Sequence, residues 1–424
     1  MSPSPAEESR TVAVSIADRI STIGRDAWDS LANPGWTIGP GGRIERTDTA
    51  TRPFNPFVAH DFLDALEASG TVDAATGWLP QHVFIAEDDG TPRAAVPAYL
   101  KSHSRGEYVF DWGWADAFER AGGRYYPKLQ VAVPFTPVTG PRLLVKEDGN
   151  AAAGRALLAG ALEQVAAARR ASSVHVTFPE DEDWQALVEA GWLARYDHQF
   201  QWFNEGYRDF EDFLAAFASR KRKQIRRERR EALADGISIV HRTGADITEA
   251  DWDAFYEFYT DTGARKWGTP YLNRTFFSLI GERMAERILL IFAVRDGRPI
   301  AGALNLIGSD TLFGRYWGAV EDHPFLHFEV CYHQAVEFAL THGLSRVEAG
   351  AQGEHKAARG YRPVLTRSAH WIAHGGLRDA VADFLARERP AVEAETEYLA
   401  ETGPFRKNFA ASTDEEADRD GKAT

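Results

Sequence analysis

Apolar and polar positions follow the same rhythm twice along this chain. In the first half Val83-Phe-Ile-Ala runs through Glu-Asp-Asp-Gly-Thr-Pro into Ala94 to Leu100. In the second half Leu290-Ile-Phe-Ala-Val runs through Arg-Asp-Gly-Arg-Pro into Ile300 to Leu306. Each predicts strand, Asp-Gly turn, strand, because Asp-Gly supplies the positive backbone φ that a tight hairpin needs. A third strand is predicted after each hairpin, at Glu107 to Trp114 and at Thr311 to Ala319, and both carry Trp-Gly (Trp112-Gly113 and Trp317-Gly318).

A helix is predicted next in both halves, from the spacing of apolar residues over Ala151 to Ala171 and Glu329 to His342. A short strand follows each helix, Ser173 to Phe178 and Arg346 to Gly350, and a last strand is predicted at Ala194 to Phe203 and at Val364 to Ala373. Further helices are expected at Val58 to Ala68, Glu249 to Thr262 and Asn273 to Ala285. The first copy holds an extra segment with Tyr125-Tyr126-Pro127-Lys128 and Pro134-Phe-Thr-Pro137. Asp379 to Thr402 predicts an amphipathic packing helix interrupted at Pro390. The layout is a disordered stretch at 1–10, one unit at 11–205, a second at 206–375, a helical segment at 376–410 and a disordered acidic tail at 411–424.

Composition narrows the function. The net charge of -14 argues against general nucleic-acid binding. Residues 220–230, Arg-Lys-Arg-Lys-Gln-Ile-Arg-Arg-Glu-Arg-Arg, reverse that sign locally, as a solvated helix face or as a contact for an anionic ligand. One cysteine, Cys331, excludes an internal disulfide framework and a cysteine zinc site. The N-terminus lacks the pattern of a signal peptide and no run is long enough to span a bilayer, so a cytoplasmic protein is expected. No phosphate-cradling loop, serine nucleophile elbow or dinucleotide glycine pattern is visible. No third ligand accompanies the His323/His327 or His370/His374 pairs, so no metal is expected.

The densest chemistry lies at Gly350-Ala-Gln-Gly-Glu-His-Lys-Ala-Ala-Arg-Gly-Tyr361, where glycines flank acid, imidazole, amine and guanidinium at the end of a strand. A solvated loop with chance charges is the plain alternative.

The element order resembles the GNAT acyltransferase fold, and its repetition resembles the tandem arrangement of the Fem-type aminoacyl transferases. Phe213 to Gly236, Phe325-Leu-His-Phe-Glu329 to His333, Gly350 to Tyr361, Tyr125-Tyr-Pro-Lys-Leu and Pro134 to Arg142 are similar to the FemAB-like subgroup. The resemblance implies an α/β (α+β) fold of two tandem GNAT-like domains, each a mixed, mostly antiparallel sheet flanked by helices. It also implies N-acyl transfer to a small-molecule or peptide amine. No tightly bound cofactor is expected; the donor is aminoacyl-tRNA or acyl-CoA, and the acceptor end of a transfer RNA is a possible partner. Typical GNAT enzymes hold the CoA pyrophosphate on a glycine-containing loop at a helix N-terminus. Asp322 to Glu329 and Glu147 to Asn150 stand there instead, without glycine richness and with acids.

Acyl transfer to an amine needs a base, an oxyanion donor and a clamp for the carrier. Glu354, His355, His327, Glu329 and Tyr361 are the catalytic candidates, with helix capping as the alternative for Glu329. Lys356, Arg359, Tyr316, Trp317, Gln352, Asp111, Tyr126, Lys128 and Arg142 are candidates for substrate binding, and Arg222, Lys223, Arg226 and Arg227 for the anionic donor. The rival reading is a catalytically inactive pair of such units that binds a cell-wall precursor or a protein partner. It gains if the polar residues of 350–361 scatter over the surface instead of sharing a cleft with His327 and Tyr316.

Overall fold

The computed structural model describes residues 13–266, 270–350, 353–401 and 403–406, with the side chains of 264–266 and 354 outside the description. The predicted termini at 1–10 and 411–424, and Gln352, lie outside the described residues. Among the described residues, one eleven-stranded sheet runs through both halves. Its order is Ser238–Thr243, Ile288–Arg295, Arg298–Ile307, Thr311–Ala319, Arg346–Glu348, Leu193–Phe203, Arg362–Ile372, Ser173–Thr177, Lys128–Val131, Ala98–Lys101 and Trp78–Pro80. A four-stranded sheet of Val14–Ala17, His82–Ala86, Pro92–Val96 and Leu144–Val145 lies beside it. Most pairings are antiparallel and helices flank the sheets, so the fold is the mixed α/β fold of two GNAT-like units.

Ile288–Arg295 shows why the large sheet is central. Ile288, Leu290 and Phe292 enter a core shared with first-half residues, including Phe57 and Leu63. Leu289, Ile291 and Ala293 enter a second core under Ala335 and Ala339 of the helix Gln334–Thr341. A strand covered on both faces has no reason to alternate with polar residues, hence its continuous apolar run.

Both hairpins form as predicted, His82–Ala86 with Pro92–Val96 and Ile288–Arg295 with Arg298–Ile307, the second through Asp296 and Gly297 at positive φ. Three expectations fail. The apolar run after the first hairpin is two strands, because the chain leaves the small sheet at Pro97 and Ala98–Lys101 joins the large one. Glu107 to Trp114 is not a strand: Tyr108 is left-handed at φ 61, and a helix Trp112–Arg120 begins after Asp111. Glu107 and Asp111 converge on the single Lys128 amine, which two positions four apart on an extended strand, about 13 Å from each other, cannot do. The C-terminal helix Gly375–Glu401 also runs through Pro390 without interruption. Pro390 and Ala386 are both exposed, so water satisfies the carbonyl that loses its donor.

The halves exchange strands. Leu193–Phe203 lies between Arg346–Glu348 and Arg362–Ile372, and Arg362–Ile372 pairs onward with Ser173–Thr177. At that junction His175 Nδ1 and His370 Nδ1 are 2.7 Å apart. Burial, with Lys128 nearby, lowers His175 to about 3, and burial carries His370 well below its ordinary value, so neutral rings share one hydrogen bond. No helix among the described residues is long and apolar enough to cross a membrane.

Candidate functional site

The second unit contains an open strand edge. Thr311, Leu312 and Phe313 pair in parallel with Arg346, Val347 and Glu348; the pairing stops there, while the first strand continues to Ala319. The Arg315 side chain is only 2% exposed although the residue as a whole is half-exposed. What faces solvent at Arg315 is therefore its main chain, an edge that an extended ligand can pair with. Arg315 and Glu348 close the apex where the strands part, with Nη2 to Oε2 at 3.1 Å. Arg315 Nε and Glu348 Oε1 are buried there without a protein partner, which costs free energy unless water or ligand supplies one.

The matching place in the first unit is shut. Lys128–Val131 and Ser173–Thr177 also pair in parallel. Gly140 then bridges to Pro179, while Arg142 donates to the carbonyls of Thr177 and Val138. Arg142, expected to bind the acceptor, is instead fully buried as a stitch within its own unit. Lys128 and Asp111, expected to do the same, are buried in a network with Ser104 and Glu107. Tyr126, half-buried, shares a hydrogen bond with Ser104 at the edge of that network.

Beside the open edge, a cleft of about 280 Å³ is lined by Thr262, Trp317, Ala319, Glu321, Asp322, His323, Leu326 and His327. It occupies the N-terminal end of the helical segment that starts at Leu326. His323 at 2.9 Å and Arg295 at 2.8 Å hold Glu321 below its ordinary carboxylate range. The His327 ring lies 5.2 Å from Trp317 and 6.0 Å from His355. His355 Nε2 is 3.0 Å from the Tyr332 hydroxyl, a partner with no signal in the sequence pattern. His327, His355 and Trp317 are thus brought together.

Lys356 and Arg359 lie behind this surface. Lys356 is 3% exposed and donates to the Gly350 carbonyl at 2.9 Å. Burial, reinforced by Arg315, lowers it from 10.5 to about 7. Arg359 is buried between Glu228, at 2.8 Å, and the Phe328 ring, 3.3 Å from its centroid. Glu354 starts the 3-10 turn Glu354–Arg359, its side chain outside the description.

Three assignments are corrected by burial. Tyr361 is 2% exposed and donates to the Tyr332 carbonyl; burial raises its pKa well above the ordinary value, so it supplies no proton to a leaving group. Tyr316 donates to the Phe135 carbonyl at 2.7 Å and fastens the two halves together without facing the cleft. Glu329 caps nothing: it is fully buried in a π-helical turn, Glu329–His333, and accepts from Arg229 at 2.8 and 2.9 Å.

The basic stretch forms the helix Ser219–Ala232. Its chemistry divides by face. Arg226 pairs with Glu211 and Arg227 with Glu231, while Glu228 and Arg229 face the interior. Among the described residues, no ion pair engages Arg220, Lys221, Arg222, Lys223 or Arg230, so the available charge sits mainly in the first turn. Of the four bases expected to meet the donor, Arg222 and Lys223 remain available and Arg226 and Arg227 already hold carboxylates.

An exchanged, two-unit GNAT fold with one open and one closed strand splay defines the class of protein. The chain belongs to the FemAB-like family, described as peptidoglycan biosynthesis/recognition, whose model matches residues 19–407. Similar solved structures include FemX, 12% identical over 74% of this chain and 93% of that one, with a TM-score of 0.47. L-PGS from Bacillus licheniformis is 10% identical over 79% and 98% of the two chains, with a TM-score of 0.46. A tandem GNAT protein from the clavulanic acid biosynthesis pathway is 14% identical over 86% and 98%, with a TM-score of 0.41. No curated protein matches the chain significantly.

Proposed function

We propose that this protein transfers an aminoacyl group from an RNA carrier to the amine of a cell-wall-type peptide. The observation that carries this reading is the distribution of charge around the open edge. Glu321 and Asp322 line the cleft at the helix end where a CoA pyrophosphate would have to sit, and carboxylates there repel phosphate. The bases Arg220, Lys221 and Lys223 instead lie exposed on a neighbouring helix, with Arg222 half-buried beside them, where a phosphate backbone finds them unneutralised. Membership of a family tied to peptidoglycan supports the acceptor class.

In this reading the acyl chain lies along the edge Gly314 to Ala319. The acceptor nitrogen attacks the ester carbonyl, its proton passes to His355, and the C–O bond to the ribose breaks with the ribose oxygen taking up a proton. Tyr332 orients the His355 ring. Lys356, in its charged form, stabilises the oxyanion, and its burial strengthens that interaction.

The test supplies radiolabelled aminoacyl-tRNA or a CoA thioester together with a muropeptide bearing a free amine. Label should pass to the peptide from RNA only, and ribonuclease pretreatment should abolish it. Ribonuclease-resistant transfer from the thioester would overturn the reading.

A further inference from the structure

The helix Ser219–Ala232 is engaged on two faces. Outward it presents the unpaired bases of its first turn. Inward, Glu228, 5% exposed, accepts from Gln224 and from Arg359, each at 2.8 Å. The neighbouring Arg229 grips Glu329 and Glu337 on the helical segment that carries His327 and Tyr332.

The turn held by Glu228 is suspended between two glycines. Gly353 (φ 111) and Gly360 (φ 85) bound the 3-10 turn Glu354–Arg359, both in conformations that L side chains rarely adopt. Between those hinges lie His355 and Lys356. Ala357 anchors the turn to the core, and the Arg359–Glu228 contact ties it to the basic helix.

We propose that Glu228 and Arg359 are positioning residues, through which a polyphosphate ligand on the outer face of the basic helix orders the turn bearing His355 and Lys356. The inference rests on the RNA-donor reading and adds to it: the carrier's body, bound away from the cleft, prepares the cleft. A ligand that stiffens the helix also stiffens what the helix holds, so carrier binding and turn order are coupled.

The experiment measures amide hydrogen exchange over residues 353–361 with and without unfractionated transfer RNA, in the wild type and in Glu228→Gln. RNA should slow exchange in the wild type by about tenfold, the size expected for a coupling of ordinary strength. In Glu228→Gln the RNA affinity should stay within about twofold while the slowing disappears, and kcat for transfer should fall about tenfold with the donor KM unchanged. Arg359→Gln should match Glu228→Gln, and the double variant should be no worse than either, since the pair acts as one unit. If Glu228→Gln does not fold, Arg359→Lys replaces it: the charge stays but the planar fork that reaches both Glu228 and Phe328 is lost. RNA that fails to bind removes the donor reading and this inference together. RNA that binds without slowing exchange in the wild type, or a variant that loses affinity and keeps kcat, overturns the inference alone.

Discussion

Replacing Lys356 by Met removes a buried amine that lies just behind the surface of the site. Lys356 is 3% exposed, and burial followed by the Arg315 charge brings its pKa from 10.5 to about 7. An unfolded lysine keeps its proton throughout pH 7 to 9, whereas folded Lys356 gives up the half proton it still carries at pH 7. The unfolded state therefore binds more protons across this window, and stability rises with pH. Integrating that difference from pH 7 to 9 gives about 2 kcal/mol of added stability from this one group. Lys101, also lowered to about 7 by burial, contributes in the same direction, so the quantity to measure is wild type minus Lys356→Met. Urea titrations at pH 7, 8 and 9 should show the wild type gaining about 2 kcal/mol more than the variant. Parallel lines for the two proteins would refute the reasoning, since Lys356 would then hold its proton as firmly as an unfolded lysine. In transfer assays the same titration has the opposite consequence: an oxyanion donor must be charged, so kcat/KM should fall as pH rises above about 7.

Lys128→Met should leave Asp111 buried without its lysine and Glu107 with Lys101 alone, 3.6 Å away, and cost about 3–5 kcal/mol, read as a lower urea midpoint with the acceptor KM unchanged in protein that remains folded. Gly318→Ala should destabilise by more than about 1 kcal/mol, because its Cβ would lie 2.1 Å from the Phe258 carbonyl oxygen, and a urea titration reads this directly. Tyr332→Phe removes the hydroxyl that meets His355 and should lower kcat by about tenfold while the RNA affinity is kept.

Much of the fold is legible in the pattern of the chain, and the reason lies in particular residues. Asp296-Gly297 announces its hairpin because tight turns need positive φ, and Ile288 to Ala293 announces a central strand because both of its faces are covered. Glu107 to Trp114 misleads because its polar positions answer to Lys128, a partner 21 and 17 residues further on that no local periodicity encodes. The strand exchange is invisible for the same reason: His175 and His370 are 195 residues apart and meet only in the folded sheet. The block 350–361 stands out by composition, yet composition does not separate His355, which is exposed, from Arg359 and Tyr361, which are buried. Arg142 shows the limit most plainly. Its charge suggested a ligand, and backbone carbonyls of its own unit accept every hydrogen bond its guanidinium makes among the described residues.

The most direct test of the account is single-turnover transfer from labelled aminoacyl-tRNA to a free-amine muropeptide by the wild type and by His355→Ala/Lys356→Met. The double variant should bind the RNA within about twofold of wild type and transfer at least about a hundredfold more slowly, the combined weight of one base and one oxyanion donor. Unchanged transfer by the double variant would contradict it and move the chemistry away from the open edge.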